Sequence, residues 1–269
     1  MILANHGIIS SSGALSFDAD ALAFITAASI TDNTQKTAIN TLVTDLKTYN
    51  IWTKMKAIYP FVGGTATSHK FNLKDPRDLD SAYRLVFSGG WTHSSTGALP
   101  NGTTAYADTK LIPSSNLTKP FIGYYSRTNT NTGITQIDMG NMDSTRYLWI
   151  SAWYNIGGLS NILARNSSVG VLLDGGITND SRGWYWTNKI GTTAKIGKNS
   201  TILNTASDTD TPPSIYTVAI GCLMQNTGPA FYTNRETAFS IIADGMSDTD
   251  TTNLYTAVQT FQTTLGRQV

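Results

Sequence analysis

The chain has 269 residues, of which 14% are charged, and 19 Lys and Arg against 18 Asp and Glu leave a net charge of +1. Such a length can bury a substantial core within one domain, and the near-neutral balance excludes the basic footprint that nucleic acid or an anionic membrane surface requires. A single cysteine, Cys222, excludes an intramolecular disulfide framework.

Residues 1–16 are small, Gly- and Ser-containing and without periodicity, and read as an arm that orders against a neighbouring subunit. The first six residues lack the basic region and long apolar run of a secretory signal, so export by lysis as part of a particle is expected. Ala21 to Ile30, the longest apolar patch, falls well short of the roughly 20 residues that span a bilayer, and no membrane insertion is expected. Helical spacing then takes over, with a short helix at Asp20 to Ser29 and a stronger one at Asp32 to Lys47. In the second, Asp32 is placed to cap free amides with Gln35 three residues on, and Ile39, Leu42, Val43 and Leu46 line one face. Ile51 to Tyr59 reads as an apolar connector, and Gly63-Gly64 as the start of a new domain. The expected division is a helical attachment segment over 1–64, a β domain over 65–245 and a closing helix over 246–269.

The middle of the chain has the grammar of short antiparallel strands. Runs at Phe71 to Leu73, Tyr83 to Phe87 and Ala105 to Ala107 are separated by Asp-Pro, Gly-Gly and Pro-Asn-Gly signals. Further strands are expected at 120–126, 134–139, 147–154, 160–165, 170–173, 183–186, 194–197, 215–224, 230–233 and 237–243. Asn131-Thr132-Gly133, Gly157-Gly158, Asp174-Gly175-Gly176 and Asn226-Thr227-Gly228 mark turns, and 204–214 reads as an exposed polar loop. Many short strands at this spacing indicate a sandwich or barrel. A helix over Asp248 to Thr264 closes the chain, with Ser247 as its cap, Asp250 completing a capping box, and Leu254, Val258, Phe261 and Leu265 as its buried stripe. Each of these helices has one apolar face and needs a surface, either the sandwich or another subunit.

Several motifs lie within this pattern: Phe71-Asn72-Leu73, Phe-x-Gly-Gly-Trp at 87–91, Asn-Gly-Thr-x-x-Tyr-Ala-Asp-Thr at 101–109, Pro-Ser-x-x-Leu at 113–117, and Ala243-Asp244-Gly245-Met246-Ser247-Asp248 before the last helix. In this order the chain resembles tailed-phage and prophage structural proteins that contain a laminin-G-like or concanavalin-A-like domain. The resemblance implies a mainly β fold, a concanavalin A-like or jelly-roll antiparallel β-sandwich with an N-terminal helical segment and a C-terminal helix. It also implies a non-enzymatic virion subunit, such as a fibre, spike or decoration protein on the particle surface, with other virion proteins as partners. A homo-oligomer is expected, with a trimer as the commonest arrangement of fibres and spikes. It supplies no catalytic residues and no cofactor.

Residue chemistry points the same way. Sandwich glycosidases need two carboxylates about 5 to 10 Å apart, one with a raised pKa. This chain holds a single glutamate, Glu236, and no acids alternate along any expected strand. The three histidines, His6, His69 and His93, have no ligand spacing, and His93 beside Ser94 and Ser95 lacks a nucleophile elbow. Asp138, Asn141 and Asp143 offer closely spaced oxygens for a calcium ion, as do Asp208 and Asp210, but neither set matches an EF-hand loop. Cys222 shares an apolar strand face with Val218 and Ile220, the position of a small core residue. The remaining candidates are aromatic: Trp91 in its Gly-Gly-Trp loop, and Trp184 and Trp186 on one strand face, as platforms for a host glycan. Tyr147, Trp149 and Trp153 share another face, with Tyr154 opposite. The alternatives to a virion subunit are a free-standing lectin-like module and a polysaccharide hydrolase.

Overall fold

A computed structural model describes residues 16–130, 132–168, 171–209 and 212–269. Residues 1–15 of the expected arm, His6 among them, lie outside the described residues, as do Asn131, Gly170 and Asp210. The helices are α1 (Ala19–Ala27), α2 (Asn33–Thr48), two single turns α3 (Ala66–His69) and α4 (Pro113–Asn116), and α5 (Asp248–Thr264). In chain order the strands are β1 (Met55–Tyr59), β2 (Val86–Ser88), β3 (Trp91–Ser94), β4 (Gly97–Pro100), β5 (Tyr106–Asp108), β6 (Pro120–Ser126), β7 (Met139–Met142), β8 (Arg146–Ile156) and β9 (Leu159–Ser168). They continue with β10 (Leu173–Ile177), β11 (Gly183–Ile190), β12 (Thr193–Lys198), β13 (Thr201–Ser207), β14 (Ala219–Ile220), β15 (Leu223–Gln225), β16 (Gly228–Ala230) and β17 (Thr237–Asp244).

The strands form two sheets. The first runs β13-β12-β11-β6-β17-β4-β3, with β1 also pairing to β17, and the second runs β10-β9-β8-β7-β14-β5-β2, with the β15-β16 hairpin beside β7. All pairings are antiparallel except the single β15-β7 contact at Met224 and Asn141. Apolar residues alternating along each strand fill the space between the sheets: Ile122, Tyr124, Tyr185, Ile196 and Ile242 from the first meet Leu148, Ile150, Ile162, Ala164 and Ile220 from the second. The fold is therefore a mainly β antiparallel sandwich with an N-terminal helical segment and a C-terminal helix.

A third layer covers the outer face of the first sheet. Helix α2 packs against α1 and α5, and Ile39, Leu42, Val43, Leu254, Val258 and Phe261 join Phe121, Tyr125, Trp184, Trp186 and Phe239 in one apolar core. The capping chemistry read from the sequence is in place. Asp32 accepts from the Gln35 amide at 2.8 Å, and Ser247 and Asp250 exchange reciprocal bonds at 3.1 Å. No described helix is long and apolar enough to cross a membrane. Arg267 fastens the far end of the chain, donating to the carbonyls of Phe61 at 2.8 Å, Pro60 at 3.1 Å and Ala238 at 3.1 Å.

Some local expectations change. The apolar connector is a short 3₁₀ turn followed by β1, whose Ile58 lies opposite Ile241 of β17, so the first sheet takes a strand from within the segment assigned to attachment. Phe71 to Leu73 is not a strand. Phe71 and Leu73 are buried, and the Asn72 side chain accepts from Ile58 N at 2.9 Å and donates to the carbonyls of Lys56 and Ala82. That amide pins three chain segments, which is a physical reason for an asparagine between two apolar residues. The run 215–224 breaks into β14 and β15 at Gly221, whose φ of +92° suits glycine. Strand β13 occupies Thr201–Ser207, where no strand was expected, because its Thr, Asn and Ser residues carry little apolar signal at a sheet edge.

Candidate functional site

Among the described residues no helical layer lies over the outer face of the second sheet, and its character is set by β8, RYLWISAWYNI. Alternation sends Leu148, Ile150 and Ala152 into the sandwich core and Tyr147 and Trp149 outward. Between β8 and β9 the register runs Ser151 to Leu163 and then Tyr154 to Asn161, so Ala152 and Trp153 stand opposite Ile162 alone. This bulge resets the parity of the strand. Tyr154, expected on the face opposite Trp149, joins it instead, and the two rings stack at 5.8 Å and 14°. The bulged segment is held by Asp138, whose carboxylate accepts from the Ala152 amide at 2.7 Å. Trp153 is buried.

Around this stack lies an open pocket of about 320 Å³. Its apolar floor is Ile137, Trp149 and Leu223, all buried, and Tyr147 and Tyr154 are half-buried at its walls. The Arg165 guanidinium lies 4.6 Å over the Tyr147 ring, and Thr135 and Gln225 add polar groups to the lining. Phe231 completes the rim, 46% exposed, with its backbone at a φ of +53°. A bulky side chain in the left-handed region costs conformational energy, and such positions concentrate at ligand clamps. A half-open cleft with flat rings, one guanidinium and a few hydrogen-bonding groups suits a small polar ligand that has apolar faces.

The residues nominated from sequence lie elsewhere. Trp184 and Trp186 are 0% and 1% exposed beneath the helical layer and present no platform. Both indoles lie close over glycines on neighbouring strands: a Cβ at Gly123 would sit 2.2 Å from the Trp184 ring, and one at Gly197 would sit 2.1 Å from that of Trp186. Trp91 is half-buried, donates its indole N–H to the carbonyls of Ser88 and Tyr106 at 3.1 and 3.2 Å, and meets Phe87 edge-on at 5.3 Å. It is a packing residue outside the pocket.

The oxygen ligands proposed for calcium have other partners. Asp138, fully buried, receives Arg235 Nε at 2.7 Å, Arg235 Nη2 at 3.1 Å and the Thr233 hydroxyl at 2.8 Å. Asn141 donates to the Tyr216 carbonyl, and Asp143 caps the turn at Thr145 and Arg146 while pairing with the Arg146 side chain. Asp208 forms a buried ion pair with Lys189 at 2.6 Å. Among the described residues no group of three His, Cys, Asp or Glu side chains could hold a metal. Glu236 accepts from Arg127 at 3.1 Å and from Thr96 at 2.6 Å.

The structure does bring together His69 and His93, 24 residues apart, with their Nδ1 atoms 2.9 Å from one another among Phe61, Phe87 and Trp91. One Nδ1 must donate and the other accept, so at least one of the two imidazoles is neutral. Burial, then His93 and Arg267, pull the His69 imidazole down to about 3. Cys222 is buried, and desolvation pushes its thiol well above the usual range.

No protein-family model matches this chain. No curated protein matches it either. Among solved structures it is similar to a mutant of Trypanosoma rangeli sialidase displaying trans-sialidase activity, at 9% identity and a TM-score of 0.55, over 83% of this chain and 39% of that one. It is also similar to domain 4 of AbnA, an extracellular GH43 arabinanase from Geobacillus stearothermophilus, in complex with arabinotriose, at 12% identity and a TM-score of 0.43, over 75% of this chain and 98% of that one. A third is the CBM40 of Ruminococcus gnavus IT-sialidase, at 13% identity and a TM-score of 0.33, over 49% of this chain and 78% of that one. The sialidase likeness supports the β-sandwich fold.

Proposed function

We propose that this chain is a non-enzymatic glycan-binding protein whose binding site is the aromatic pocket on the uncovered face of the second sheet. The observation that carries the reading is the bulge-built Trp149–Tyr154 stack, flanked by Tyr147, Arg165 and the exposed Phe231. Pyranose rings have apolar C–H faces and polar edges, and such a lining offers ring surface for the first and donors for the second. A binding rather than hydrolytic role is supported by the lining itself, in which, among the described residues, no Asp, Glu or His stands to act as general acid or base. Carbohydrate-related proteins recur among the solved structures of similar fold, in keeping with this reading. The test is a glycan array with wild type beside Tyr147→Ala and Tyr154→Ala. Signal on a restricted set of glycans, lost in both variants with unchanged circular dichroism, is expected, and uniform silence of the wild type overturns the reading.

The setting we propose is a virion surface, with other virion proteins as partners and the chain as a homo-oligomer. It rests on the motifs at 87–91, 101–109 and 243–248. Immunogold labelling of intact phage particles with antibody to this chain tests it. Gold at a fixed place on capsid or tail is the expected result, and unlabelled particles overturn it.

A further inference from the structure

Among the described residues, Arg165 is the one charged group in the pocket lining. Of the seven arginines whose side chains bond to protein partners, six pair with a carboxylate, namely Arg77, Arg84, Arg127, Arg146, Arg182 and Arg235, and Arg267 bonds backbone carbonyls and Gln262. Arg165 differs: among the described residues its partner is the face of Tyr147, which holds the guanidinium in place and occupies none of its five N–H groups. It is half-buried, directly across the β8-β9 ladder from Trp149. Asp174, opposite Leu163 on β10, brings an acid to this side of the sheet, but its carboxylate is held by the Asn161 amide at 3.1 Å and by the Gly176 N–H at 2.8 Å. The pocket thus pairs ring surface with one partly desolvated, uncompensated planar cation.

We infer that the pocket selects a sugar bearing a carboxylate, with Arg165 taking the carboxylate in a two-pronged hydrogen bond while the ring packs against Tyr147 and Tyr154. The inference rests on the glycan-binding reading and narrows its ligand class. A guanidinium fork matches a carboxylate in plane and spacing, and the match is worth most where water is partly excluded. Uronic acids and nonulosonic acids both carry this chemistry, and the test separates them.

Two pairs of methyl glycosides isolate the carboxylate. They are methyl β-glucuronide against methyl β-glucoside, and the methyl glycoside of N-acetylneuraminic acid against the methyl ester of its carboxylate. Titration of the labelled full chain by amide NMR is expected to show the acidic member of at least one pair binding about tenfold more tightly than its neutral partner, the scale of a charge-assisted hydrogen bond. Which pair responds identifies the acid. Arg165→Gln is expected to bring the ratio near one and Arg165→Lys, which keeps the charge without the fork, to an intermediate value. Added salt is expected to narrow the wild-type ratio. Equal affinity within both pairs, or a ratio that survives Arg165→Gln in a folded variant, overturns the inference and leaves the glycan reading standing. Silence of all four sugars overturns it also, and the glycan reading then stands or falls on the array.

Discussion

Replacing Asp138 by Asn removes the charge that the interior of this protein is built to compensate. Asp138 and Arg235 are both fully buried, with Nε to Oδ1 at 2.7 Å and Nη2 to Oδ2 at 3.1 Å, and the same carboxylate receives Thr233 and the Ala152 amide. Leaving a guanidinium buried without its counter-charge costs about 3 to 5 kcal/mol. At roughly 2 to 4 °C per kcal/mol for a domain of this size, the melting temperature should fall by roughly 6 to 20 °C. Urea unfolding followed by tryptophan fluorescence measures the free energy, and calorimetry the melting point. The double variant Asp138→Leu with Arg235→Met removes both charges and should be more stable than Asp138→Asn alone, because breaking a buried pair costs more than replacing it. Hydrogen exchange adds a local readout, since the Ala152 amide should lose protection in Asp138→Asn. A single variant within about 1 kcal/mol of wild type, or a double variant less stable than the single, refutes the reasoning.

Further outcomes follow from other sites. Trp184→Ala and Trp186→Ala should each lose about 3 to 5 kcal/mol in urea unfolding through cavities under the helical layer, and equal stability would mean the rings are not core. Gly123→Ala, which drives a methyl into the Trp184 ring, should lose about 1 to 3 kcal/mol. His69 stays neutral in the folded chain down to about pH 3, while in the unfolded chain it takes a proton below its ordinary value of about 6.5. The unfolded state therefore binds more protons as pH falls through that window, and stability drops by up to about 1.4 kcal/mol per pH unit. Between pH 7 and pH 5 His69→Gln should lose about 2 kcal/mol less than wild type, and identical pH dependence would remove His69 as the cause. Cys222, buried with its thiol held protonated, should resist Ellman's reagent until the chain is unfolded.

The sequence was most legible where local chemistry decides structure. The caps at Asp32 and Ser247, the bounds of α5 and the strand β6 follow from side-chain oxygens placed before an apolar periodicity and from alternating large residues. Composition hid β13, whose edge position tolerates polar residues on both faces. Alternation placed Trp184 and Trp186 on one face correctly, but it carries no information on which face a distant helix will cover. The apolar stripes of α2 and α5 and the Trp-x-Trp face needed each other; only the tertiary arrangement pairs them. The aromatic pocket was hidden for a different reason. Its Trp149–Tyr154 stack exists because one extra residue at Ala152–Trp153 interrupts the period of two, and nothing in the spelling of β8 marks that interruption.

Helices from both ends of the described chain lie on one side of the molecule, over the first sheet, and the pocket opens on the other side, beyond the second. The helical layer and the pocket are therefore separated by the full thickness of the sandwich. In the proposed setting, copies held through their helical layers on a common support would present their pockets as a field pointing outward, and many weak glycan contacts would combine into firm adhesion.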